Sequence, residues 1–70
     1  TMEDTRTYQI HINGQIIDCE IARFCPPGWT IETDDKGFSI LTVKTDQSGL
    51  VGLIRQLHGL GFELLSIDSN

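Results

Sequence analysis

Seventy residues, ten of them Asp or Glu against five Lys or Arg, carry a net charge of −5 with 39% apolar content. A chain of this size buries only about 60% of the surface that its unfolded form exposes, so one thin core must hold it and an enzyme with a lid is excluded. The acidic balance, with basic residues scattered from Arg6 to Arg55, argues against a nucleic-acid partner, because binding phosphate needs clustered Lys and Arg.

No run of about 18 apolar residues is present, and the polar opening from Thr1 to Thr7 lacks the apolar core of a secretory signal. The expected setting is cytoplasmic, with no membrane partner. Thr1 ahead of Met2 reads as an addition to a native start, residues 1–7 as a flexible tail and residues 8–68 as a single α+β domain. A cytosolic chain keeps its thiols reduced, so Cys19 and Cys25 read as packed thiols.

Tyr8 to Asn13 alternates, with Tyr8, Ile10 and Ile12 on one side, which is the period of a half-buried strand. After Asn13-Gly14 two readings stay open. Asn-Gly between apolar runs is a hairpin signal, making Gln15 to Ala22 a returning strand. Alternatively, Asp18 caps a short helix from about Cys19 to Phe24 that buries Ile17, Ile21 and Phe24, until Pro26-Pro27-Gly28 stops it. Trp29 to Thr33 alternates again, Asp34-Asp35-Lys36-Gly37 supplies a turn, and Phe38 to Lys44 is rich in strand formers, which together predict a hairpin. Asp46 then offers an N-cap, and Leu50, Leu53, Ile54, Leu57 and Leu60 recur at helical spacing until Gly59 and Gly61 give a place to leave the helix. Phe62 to Ile67 forms a last strand, at an edge or beside the first.

With the helical option the order is β-α-β-β-α-β, the plan of the ferredoxin-like sandwich, in which two helices cover one face of a four-stranded antiparallel sheet. Strand side chains alternate, so Leu41 and Val43 toward the helices put Phe38 and Ile40 on the bare face. Strict alternation with Leu65 and Ile67 inward likewise turns Phe62 and Leu64 outward. Phe38, Ile40, Phe62 and Leu64 are therefore the candidate interface, and so large an apolar patch predicts a homo-oligomer.

Tyr8-x-Ile10-x-Ile12-x-Gly14, Trp29-Thr30-Ile31, and Asp46-Gln47-x-x-Leu50-x-Gly52-Leu53-Ile54-x-x-Leu57-x-x-Leu60-Gly61-x-x-Leu64-Leu65-Ser66-Ile67 together resemble a family of small uncharacterised bacterial proteins. The resemblance runs from Tyr8 to Ile67 and implies one domain without an assigned activity. Between Gly14 and Trp29 the chain departs from the family pattern, with Pro26-Pro27 where the family favours a Trp-rich turn of helix. An Asp-Pro pair often opens this stretch in the family, so the resemblance tilts the choice after Gly14 toward the helix.

His11, Cys19, Cys25 and His58 are the only imidazole or thiol ligands, and their spacing contains no Cys-x-x-Cys, so no metal or other cofactor is expected. Copper chaperones and acylphosphatases share the expected plan, but the loop after the first strand, Gln15-Ile16-Ile17-Asp18-Cys19, carries neither a metal pair nor a phosphate-binding arginine. Cys25 has no neighbouring cation in sequence to lower its pKa, and Asp34-Asp35 reads as a turn former, so no catalytic residue is assigned. Two places offer weak binding capacity: Asn13, Gly14 and Gln15 after the first strand, and Asp46 with Gln47 at the start of the long helix, where free N–H groups hold anions. The first reading is a non-catalytic domain that self-associates or binds another cytosolic protein. The second is a small-molecule-binding regulatory domain of the amino-acid-sensor kind, an analogy of fold alone.

Overall fold

The structure, a computed structural model, describes residues 5–16 and 18–69. Its elements in chain order are β1 (Arg6–Asn13), α1 (Asp18–Ile21), β2 (Thr30–Thr33), β3 (Phe38–Thr45), α2 (Gln47–Gly59) and β4 (Glu63–Ser69). The four strands form one antiparallel sheet in the order β2-β3-β1-β4, on which α2 packs, an α+β architecture. Of the two readings after Gly14 the helix is the one formed, though α1 is a single turn of four residues. The remainder of its expected span, Ala22 to Phe24, is a turn in which the Phe24 and Cys25 amides donate to the Ile21 carbonyl at 3.1 and 3.0 Å. The expected place of Ile17 on the α1 stripe and the Asp18 side chain as its cap fall outside what the structure describes.

The long strands pair through their whole length, from Arg6 opposite Thr45 to Asn13 opposite Phe38. Pairing thus begins at Arg6, inside the stretch expected as a tail, because the ladder needs only backbone groups and Thr45 and Lys44 continue it on the other side. The β2–β3 turn is held as its sequence demands: Asp34 Oδ1 accepts from the Lys36 and Phe38 amides at 2.9 and 3.0 Å, while Gly37 takes the positive φ of 88°.

Alternation gives the two faces of the sheet different contents. Ile10, Ile12, Leu41 and Val43 all point to the helix side with 0–1% exposure, and Leu53 and Leu57 of α2, with Ile16 and Ile21, close over them. Leu50 packs against the cluster from its rim. Leu60, which continues the helical spacing, instead caps α2 and is 49% exposed.

The exit from α2 corrects the expected orientation of the last strand. The Phe62 amide donates to the Leu57 carbonyl at 3.2 Å and the Gly61 amide to the His58 carbonyl at 3.0 Å, with Gly61 at φ 92°. This pair of bonds is the Schellman closure, which folds the residue after the glycine back over the helix's last turn. Phe62 therefore packs against the core, and Leu64, opposite Ile12, does the same. Between His11 and Ile12 the ladder slips: His11 faces Ser66 while Ile12 faces Leu64, so Leu65 is an extra residue, a β-bulge. Leu65 is thereby released to the other face while Ile67 returns to the side of Ile10.

Candidate functional site

The helix-free face of the sheet carries a depression of about 490 Å³ lined by His11, Glu32, Asp34, Phe38, Ile40 and Leu65, among others. All four strands meet there: β1 through His11, β2 through Glu32, β3 through Phe38 and Ile40, and the bulge of β4 through Leu65. Of the candidate interface residues, Phe38 and Ile40 lie on this face, whereas Phe62 and Leu64 pack on the opposite side for the reasons above. Leu65 takes their place at 50% exposure. A bulge has no fixed sequence signature, but the Gly61-Phe62 pair, read as a helix closure, would have set the orientation of Leu64.

Charge on this face is one-sided. Glu32 stands opposite Ile40, Glu63 opposite Asn13 and Asp68 opposite Gln9, and Asp34 joins them at the rim of the depression. Among the described strand residues Lys44, opposite Thr7, is the only lysine or arginine that alternation puts on the same face, and Lys36 lies in the turn between β2 and β3. His11 Nε2 is buried and lies 3.2 Å from Asp68 Oδ2 without meeting hydrogen-bond geometry.

The candidate ligand residues divide between opposite ends of the sheet. Asn13 and Gly14 sit at the β3 start, where Asn13 Nδ2 donates to Glu63 Oε1 at 2.8 Å, the Gly14 amide to the Gly37 carbonyl at 2.8 Å, and Ser39 Oγ to the Gly14 carbonyl at 2.6 Å. Gln15 follows them, exposed. Asp46 and Gln47 lie beyond Thr45, an eight-residue strand away, a separation of about 25 Å at the usual strand rise. Asp46 Oδ1 accepts the Gly49 amide at 2.8 Å, so the carboxylate itself occupies the start of α2. Gly49 is needed there, because a Cβ would collide with Thr45 Oγ1.

Neither cysteine is in a disulfide; Cys19 is exposed and Cys25 half-buried. Burial pushes the Cys25 thiol up to about 11, which keeps it protonated and unreactive at neutral pH. No group of three or more His, Cys, Asp or Glu side chains gathers in metal-binding fashion among the described residues. No described helix is long and apolar enough to cross a membrane.

Against known proteins, a family model described as Domain of unknown function (DUF8691) matches residues 7–68. Searches of curated proteins and of solved structures returned no match.

Proposed function

We propose that this protein, which belongs to that family of unknown function, is a non-catalytic association domain of the cytosol whose contact surface is the helix-free face of its sheet. One observation carries the reading: Phe38, Ile40 and Leu65, three large apolar side chains from β3 and β4, surround an open depression of about 490 Å³ that no described element covers. Apolar groups clustered on a small domain are ordinarily there to meet a partner, either a second copy or another protein. The ferredoxin-like plan agrees with this use. Its support is the β-α-β-β-α-β order and the two crossovers that each span a strand, β1 to β2 across β3 and β3 to β4 across β1. The C-terminal pattern from Asp46-Gln47 to Leu64-Leu65-Ser66-Ile67 and a bacterial source remain part of the same proposal.

A small-molecule sensor built on Asn13, Gly14 and Gln15 gains no support from the geometry, since the Asn13 amide and both Gly14 backbone groups are already hydrogen-bonded within the chain. The test is selection of a displayed random dodecapeptide library on the immobilised protein, with sedimentation at about 10–100 μM in parallel, the range of weak assemblies. Enriched peptides or self-association that disappear in Leu65→Ser support the reading. Neither enrichment nor self-association would refute it.

A further inference from the structure

We infer that the occupant of the open face is a basic, amphipathic segment of another protein, pairing apolar side chains with Lys or Arg; this rests on the association reading above. The floor of the depression asks for apolar groups, since Phe38, Ile40 and Leu65 make it. Its surroundings ask for cations. Glu32 and Asp34 line it, and Asp68 stands beside His11, with no lysine or arginine among the lining residues. Lys44 is six residues along β3 from Phe38, about 20 Å at the usual rise, too far to neutralise that end, and Lys36, in the β2–β3 turn outside the lining, leaves the carboxylates in excess there.

The same charges disfavour a second copy as occupant. Two open faces stacked on each other would bring Glu32, Asp34, Glu63 and Asp68 of one protomer against the same four of its partner, with Lys44 and the β2–β3 turn's Lys36 on each side against those four carboxylates. Like charges juxtaposed across an interface select against that pairing, whereas opposite charges also speed the encounter. The depression lies within the range of about 300–1,000 Å³ common to binding pockets, enough for the apolar side chains of a short segment while its cations reach the rim.

Three labelled dodecapeptides, one of alternating leucine and lysine, one of leucine and glutamate and one of serine and lysine, test this by fluorescence anisotropy against the wild-type protein. Leucine–lysine should bind at least about tenfold more tightly than either of the others, showing that both the apolar and the cationic half are read, and should weaken as salt rises. Glu32→Gln and Leu65→Ser, both at exposed positions, should each weaken it about threefold or more, while Glu20→Gln on α1 and Val51→Ser on α2 leave it unchanged. Equal binding of the glutamate peptide, or equal loss in Glu20→Gln and Glu32→Gln, overturns the inference. Should the wild type sediment as a dimer that Leu65→Ser dissociates and bind none of the three, the occupant is a second copy: the inference falls and the association reading stands. A monomer that binds no peptide and enriches none from the library sinks both.

Discussion

Residues 40 and 41 are neighbours in β3 and opposite in fate. Leu41 lies between Ile10 and Ile31 with no exposed surface, under α2, while Ile40 lies between His11 and Glu32 at the floor of an open depression. The same alternation repeats through β1, where Ile10 and Ile12 are wholly buried and Gln9, His11 and Asn13 face away. One face is therefore closed by the chain itself and owes its composition to folding. The other is closed by none of the described elements, so its mixture of three apolar side chains with carboxylates is not a requirement of the core.

The sharpest way to break this contrast is to truncate its buried side. Leu41→Ala should remove a fully buried side chain at a cost of about 2–5 kcal/mol, against about 3–5 kcal/mol that a core of this size supplies in total. The variant should be largely unfolded by circular dichroism without denaturant. A cooperative transition near that of the wild type would mean that the helix side is not the core.

Next in size is Ser39, the one polar residue in the buried set among the described residues, at 1% exposure. Its hydroxyl donates to the Gly14 carbonyl at 2.6 Å and lies 3.2 Å from Thr33 Oγ1, tying the end of β1 to the start of β3 and to β2. Ser39→Ala leaves the Gly14 carbonyl without that donor in a semi-buried place, which should lower stability by about 1–3 kcal/mol in a denaturant titration. No change in the midpoint would show that the hydroxyl is dispensable to the junction.

The closed face was far more legible than the open one. Tyr8-x-Ile10-x-Ile12 and the leucine spacing of α2 state their buried sides directly, because a core imposes a period on the residues that fill it. The β2–β3 turn was equally plain in Asp34-Asp35-Lys36-Gly37. Two features were hidden. The bulge at Leu65 inserts a single residue, and one residue reverses the direction of every side chain before it relative to those after it, so Leu64 and Leu65 exchanged their expected faces. The acidic surround of the depression was hidden for another reason. Glu32 and Asp34 belong to one segment, at the end of β2, and Asp68 to another, β4, and the two come onto one face only through the strand order β2-β3-β1-β4, which no local pattern encodes.

A smaller effect is expected at the start of α2, the helix that closes the covered face. Asp46 satisfies the Gly49 amide at 2.8 Å, and Asp46→Ala should cost about 1 kcal/mol, the usual worth of an N-cap. Asp46→Asn should recover most of it, since an amide oxygen accepts the same bond. Equal loss in both variants would assign the contribution to charge at the helix end, not to the cap bond.

The smallest effect should come from the open face, and it is the one that decides what the contrast means. Ile40→Thr keeps a β-branched side chain suited to a strand while removing apolar surface from the depression. Ile40 is half-buried between its strand neighbours but no described element packs over it, so stability should change by less than about 1 kcal/mol, well below a core truncation. Stability should also be independent of protein concentration, since a monomer has no association to lose on unfolding. Denaturant midpoints measured for the wild type and Ile40→Thr across a hundredfold range of concentration separate the alternatives. A wild-type midpoint that rises with concentration, and a variant that loses the rise, would show the open face buried against a second copy, and Ile40 would then belong to a core shared between two chains.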